Sequence, residues 1–327
     1  MPAAATVFEP KKIEISFRWL LAIYAIVPIL LSIVFIDSIF LGNAIQPYVS
    51  VNLKSAFIYL LFFELPHIFA SFISFADREY LSHYKKQLFY ELPILLVASC
   101  LLAYISLTSA LVAIITYTLY HVLAQQTGIA RMMIGKTHIL YTLWNLTAVA
   151  IAVLIQMYVM KIAPISLLSE STYFFVFSAF TVVFFILSLV IFIQTKAGIG
   201  KKYFSAITLS LFAGILFFLM NYLFFAVTVL RFVHDITAFY FYIAHDVNRN
   251  ATTVKNSIYK VLTRFKIPIL ISVPALGILM AYVIRYPLNL YNGIIYTAII
   301  VNFSHFYLEG FIWKRGSLHR DNVSFVE

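Results

Sequence analysis

Apolar and polar positions along this chain fall in long blocks rather than in short alternation. Runs long enough to cross about 30 Å of hydrocarbon lie at 17–40, 54–76, 88–107, 110–129, 139–160, 172–194, 203–221, 223–246, 267–285 and 289–312. Short polar stretches separate them, so the pattern predicts ten membrane-spanning helices. The segment 203–246 is nearly continuous, and its 44 positions are too many for one span and suit two, with a break near Met220 and Asn221. Ser106–Ser109 reads as a tight hairpin. The expectation is an all-α, polytopic integral membrane bundle forming a single transmembrane domain over 1–327.

Composition agrees with that pattern. Of 327 residues, 63% are hydrophobic and 11% charged, and the mean hydropathy is +0.95, whereas soluble domains are about half apolar and a quarter charged. The net charge of +10 carries no implication of nucleic-acid binding, because the basic residues are distributed between apolar runs. The lone Cys100 leaves neither a disulfide framework nor a thiolate metal site. Met1 to Lys12 lacks the charged and apolar regions of a removable signal peptide.

The basic residues sort by side. With the N-terminus inside, nineteen lie on that side, among them Lys11, Lys12, Arg78, Lys136, Lys201, Arg249, Lys260 and Arg315, against Lys54, Lys161 and Arg285 on the other. Cytoplasmic loops carry such an excess. Both termini are therefore expected in the cytoplasm of a multi-pass protein of the bacterial inner-membrane type. The sequons at Asn145, Asn250, Asn302 and Asn322 fall within spans or inside, as chance matches would.

One polar stretch interrupts the apolar pattern most sharply. From Arg231 to Asn250 the chain carries two arginines, two histidines and two aspartates at the end of a long apolar run. Ionisable groups in hydrocarbon cost several kcal/mol each unless paired or functional. Arg231, His234 and Asp235 share one helix face, and His245, eleven positions after His234, returns to it. Under the predicted topology four helices descend in the same sense. At about 1.5 Å per residue, they place His121 and His234 at ~15–17 Å depth, His67 near ~20 Å and His305 near ~24 Å.

These imidazoles have oxygen donors at helical spacing. Glu64 and His67 form an E-x-x-H, His305 and Glu309 are an i, i+4 pair, as are His121 and Gln125, and Asp235 and Asp246 directly follow His234 and His245. A lone histidine in a membrane commonly hydrogen-bonds a neighbouring helix; four at one level beside acids are better suited to a metal. Imidazole plus carboxylate without thiolate suits non-haem iron, manganese, copper or zinc. The candidate ligands are His67, His121, His234, His305, Glu64, Asp235, Glu309 and His245. Asp246, Gln125 and Arg231 are the candidate catalytic groups beside them, with Asp246 able to orient an imidazole and Arg231 able to pair with Asp235. His83 and His319 lie in basic segments and are expected on a solvated surface, and His138 at the membrane interface. Tyr240, Phe241 and Tyr242 are candidates to line an apolar slot.

Leu65-Pro66-His67, Tyr120-His121, the aromatic segment from Phe239 to Arg249 and the late His305 together resemble the Brp/Blh-type membrane carotene dioxygenases. The family's H-x-x-x-H of the later helix is not reproduced, because Arg249 stands at its second histidine, and Gln125 stands near a family acid. The resemblance implies a helical, polytopic non-haem iron protein. The resulting expectation is an iron oxygenase that takes an apolar, lipid-like or isoprenoid substrate from the bilayer, with or without an electron donor. The competing class is a proton-coupled transporter or channel whose intramembrane histidines and acids carry protons; a b-type cytochrome fits less well, because acids adjoin the histidines.

Overall fold

The computed structural model describes residues 12–51, 58–134, 139–162, 169–284 and 291–326, with backbone alone at 284 and 291–298. Lys11, Lys54, Lys136, His138 and Arg285 lie outside the described residues. Strand β1 (Glu14–Ser16) leads into helices α1 (Phe17–Ile23), α2 (Ile26–Phe40), α3 (Leu65–Ile73), α4 (Arg78–His83), α5 (Leu92–Ile105) and α6 (Leu107–Ile134). Then follow α7 (Ile139–Val159), α8 (Glu170–Gln194), α9 (Ile199–Leu219), α10 (Leu223–Arg249), α11 (Ser257–Arg264), α12 (Ile269–Ile284), α13 (Tyr291–Ile312) and strand β2 (Ser324–Val326).

Seven helical segments among the described residues are long and apolar enough to cross a membrane, from Phe17–Phe40 to Leu223–Arg249. An eighth arises if α11 and α12, bent by 111° across a short break, count as one span. The segments Leu60–Ala76 and Ile299–Ile312 are apolar but shorter. Large apolar side chains such as Phe175, Ile193, Ile94 and Tyr104 face outward on α8 and α5, as a lipid-facing surface requires.

Local chemistry accounts for the helix boundaries. The continuous run 203–246 divides between Leu219 and Leu223, where Asn221 takes a left-handed φ of 65°, a conformation asparagine tolerates better than most residues. The Ser106 hydroxyl, which starts α6, accepts from the backbone N–H of Ser109 at 3.2 Å. Asp77 caps α4 through the N–H of Glu79, and Asn256 caps α11 through the N–H groups of Ile258 and Tyr259, each meeting donors that a helix start leaves unpaired.

Two wide π turns have a common origin. Leu60–Glu64 precedes Leu65-Pro66, and Gln87–Glu91 precedes Leu92-Pro93. Proline has no N–H to donate to the preceding turn. In both places the leucine N–H instead reaches back five residues, to the carbonyls of Leu60 and Gln87. The first π turn delivers Glu64, Pro66 and His67 to the bundle interior, and all three are buried.

Close packing of α12 on α3 holds that segment in place. Gly277 approaches so tightly that a Cβ there would sit 2.6 Å from the Pro66 carbonyl oxygen. Helix α10 contacts α3, α6, α9 and α12, and α13 contacts α3, α5 and α6. The junction of α3, α6, α10 and α13 is where the four predicted histidine-bearing helices meet. At the chain ends, β1 pairs in parallel with β2, Ile15 opposite Phe325, so both ends of the described chain lie on one face of the bundle.

Candidate metal centre

His67 on α3, His121 on α6, His234 on α10 and His305 on α13 converge. Their ring centroids form a closed circuit: His67 to His234 is 5.2 Å, His234 to His121 5.1 Å, His121 to His305 5.5 Å and His305 to His67 4.8 Å. His67, His234 and His305 are each no more than 2% exposed. One ligand atom from each of these three lies within 4.8 Å of the other two, and His121, His305 and Glu309 make a second such triplet.

Hydrogen bonding settles which nitrogen faces inward at two of the rings. His67 Nδ1 is 3.1 Å from Asp235 Oδ1 and 3.3 Å from the Phe63 carbonyl. Both neighbours are acceptors, so Nδ1 carries the proton and Nε2 is left with a lone pair. His305 Nδ1 is 3.1 Å from Ser71 Oγ, whose own proton goes to the Ile68 carbonyl at 2.6 Å. The serine must therefore accept, and His305 Nε2 also carries a lone pair. His67 Nε2, His305 Nε2 and His234 Nδ1 are buried without a hydrogen-bond partner. Buried polar atoms are nearly always partnered, and three orphaned imidazole nitrogens in one cluster, two of them with lone pairs, are the pattern a cation would satisfy.

Glu309 closes the fourth side. Its Oε2 is 2.9 Å from His121 Nε2, close but out of line for a hydrogen bond, and Oε1 is 3.9 Å from His305 Nε2. Tyr242 donates to Oε1 at 2.5 Å, and Gln125 Nε2 approaches Oε2 at 3.5 Å. Asp235 is buried behind His67, and Tyr59 donates to its other oxygen. Metal-binding imidazoles are held in this way by a carboxylate behind the ring, which fixes orientation and raises basicity.

The remaining candidates occupy adjoining positions. Arg231 pairs with Glu64, Nη1 to Oε2 at 3.3 Å, rather than with Asp235: the π turn carries Glu64 towards α10, while Asp235 is engaged by His67 and Tyr59. Glu64, Arg231, His67, His234 and Asp235 border a cavity of about 10 Å³, on the scale of one water molecule. His245 and Asp246 join a different network. Tyr80 OH meets His245 Nε2 at 2.9 Å, His245 Nδ1 meets Asp246 Oδ1 at 2.7 Å, and Tyr259 donates to Asp246 Oδ2 at 2.5 Å. Both His245 nitrogens are thus engaged by protein groups, and Asp246 orients His245 rather than the central rings.

No family model matches the chain, and no curated protein or solved structure matches it either. The geometry stands alone.

The expectation for His319 is overturned as well. His319 is not on a solvated surface: it is fully buried, stacked on Tyr80 at 4.0 Å and on His245 at 4.8 Å. The chain after α13 folds back against the bundle, where His319 Nε2 lies 3.0 Å from Ser74 Oγ, whose own proton goes to the Ser71 carbonyl at 2.9 Å. Tyr59, Ser71, Ser74 and Tyr80 were not singled out from sequence. Ser71 follows His67 at i+4, which places it on the same helix face; the others carry no comparable signal.

Proposed function

We propose that the protein is a membrane-embedded non-haem iron oxidoreductase of the oxygenase type, acting on an apolar, lipid-like or isoprenoid substrate. The observation that carries this reading is the set of three orphaned, buried imidazole nitrogens, two with lone pairs fixed inward by their hydrogen bonds. His67, His121, His234 and His305 would hold the metal, with Glu309 at its edge. Iron bound there would supply dioxygen activation, in a site from which apolar helices exclude water. Asp235 and Ser71 would hold two imidazoles in their tautomers, while Tyr242 and Gln125 steady the Glu309 carboxylate. The resemblance to the Brp/Blh-type carotene dioxygenases points to the same chemistry, through His67, His121 and His305.

The complete topology belongs to this proposal. Hydrogen-bonded β1 and β2 require an even number of crossings between them, which ten spans satisfy. The excess of basic residues on the side of the termini assigns that side to the cytoplasm.

A proton-coupled transporter is the second reading, and it too draws on a specific feature. From His305 the contacts continue through Ser71 and Ser74 to His319, His245 and Tyr80, a polar path along α3. Elemental analysis separates the two. Protein purified from iron-replete cells should carry close to one iron per chain, and protein free of transition metal would exclude the oxygenase and leave the transporter.

A further inference from the structure

A cavity of about 950 Å³ lies beside the candidate metal centre, on the face that carries the chain ends. Phe17, Phe241, Trp313 and Phe325 supply aromatic rings to its apolar lining, together with Ile129 and Met132. Its polar lining is dominated by arginine. Arg131, Arg315 and Arg320 all contribute, opposed by Asp321. Gln125 lines the same cavity and reaches Glu309 at 3.5 Å, so a molecule filling it would lie one side chain from Glu309, at the edge of the histidine cluster.

The arginines are poorly satisfied for so much positive charge. Among the described residues none of the three is in an ion pair within 4 Å. Among the described residues Arg131 Nε is buried without a hydrogen-bond partner, its Nη2 reaches Thr142 Oγ1 at 3.4 Å, and its guanidinium lies 5.7 Å from the centre of the Tyr141 ring. Arg320 donates to the Val323 carbonyl at 2.7 Å and lies over the Phe325 ring at 4.5 Å. Burial pushes the Arg320 guanidinium below its ordinary range, with Asp321 opposing that effect. Arginine is the residue best shaped for carboxylate and phosphate oxygens.

We infer that this cavity binds an amphiphile with an anionic head, its carboxylate or phosphate held by Arg131, Arg315 and Arg320 and its apolar chain laid against the aromatic wall towards Gln125. The inference rests on the oxygenase reading only in making this amphiphile the substrate; binding itself does not require a metal. A neutral hydrocarbon would gain nothing from the arginines, and a small free anion would leave the aromatic wall uncovered.

The test uses full-length protein in detergent, titrated with a fluorescent long-chain carboxylate, the matching alkyl phosphate and the matching alcohol. Carboxylate or phosphate should bind at least about tenfold more tightly than the alcohol, the difference expected of one charge-assisted contact. Whichever of the two binds more tightly names the head group. Arg131→Gln and Arg320→Gln should each remove most of that preference. Gly128 also lines the cavity, and a Cβ there meets nothing within 4 Å, so Gly128→Phe should fold and block all three probes. Equal binding of acid and alcohol, or a Gly128→Phe variant that still binds, would overturn the inference. Iron content measured on the same samples keeps the two proposals apart. Iron-free protein that prefers the anion removes only the oxygenase, and iron-loaded protein without the preference removes only the amphiphile site.

Discussion

Asp235 stands directly behind His67, its Oδ1 3.1 Å from the ring Nδ1 while Tyr59 holds the other carboxylate oxygen. The carboxylate thereby keeps the free His67 Nε2 pointing at the other three rings. In Asp235→Asn the charge is lost and the new amide N–H₂ must face either Tyr59 or His67. Metal retention is expected to fall ~10–100-fold, read as iron left after dialysis against a graded chelator. Unchanged retention would show that His67 is positioned without Asp235.

His234 separates enzyme from transporter. Its Nδ1 is buried and unpartnered between His67 and His121. As a ligand, its loss in His234→Ala should abolish stoichiometric iron while the protein remains monodisperse. As a proton relay, its loss should leave metal content unchanged and alter only pH-dependent flux in proteoliposomes.

Gly277 should tolerate no side chain. With a Cβ only 2.6 Å from the Pro66 carbonyl oxygen, Gly277→Ala must push α12 off α3 or tilt the turn that carries His67. The expected cost is about 1–3 kcal/mol, visible as a lower Tm together with weaker iron retention. Gly128→Ala, in open space on α6, should leave the Tm unchanged or raised, because alanine is the better helix former.

His319 should make stability depend on pH. Burial, reinforced by His245 and Arg249 nearby, holds its pKa well below the ordinary histidine range. A base with a depressed folded pKa contributes its full stability above the unfolded value, about 6.5, and loses it as the pH falls towards the folded value. Below pH 6.5 the protein should lose up to about 1.4 kcal/mol per pH unit. His319→Gln should flatten that slope in thermal melts between pH 8 and pH 5.5. An unchanged slope would place the acid sensitivity elsewhere.

Topology can be read by labelling. In a Cys100→Ser background, a cysteine at Lys161 should react with an impermeant maleimide added to intact cells, and one at Lys260 should not. The reverse pattern would invert the assigned orientation.

Much of this architecture is decided along the chain itself. Apolar run length places the helices, and the division of 203–246 at Asn221 follows from a length too great for one crossing. Because a helix advances a set distance and angle per residue, sequence alone also placed His67, His121, His234 and His305 at comparable depth. Helical spacing brought Glu309 close to His305 in the same way. Facing is another matter. Which helices become neighbours, and how each is rotated, depend on contacts between residues far apart in the chain, such as Gly277 against Pro66. Those contacts assign Arg231 to Glu64, draw His319 into the interior and place Asp235 behind His67 instead of beside His234. They also determine which ring nitrogens are left free, because a tautomer depends on the acceptor that packing brings to the far side of the ring.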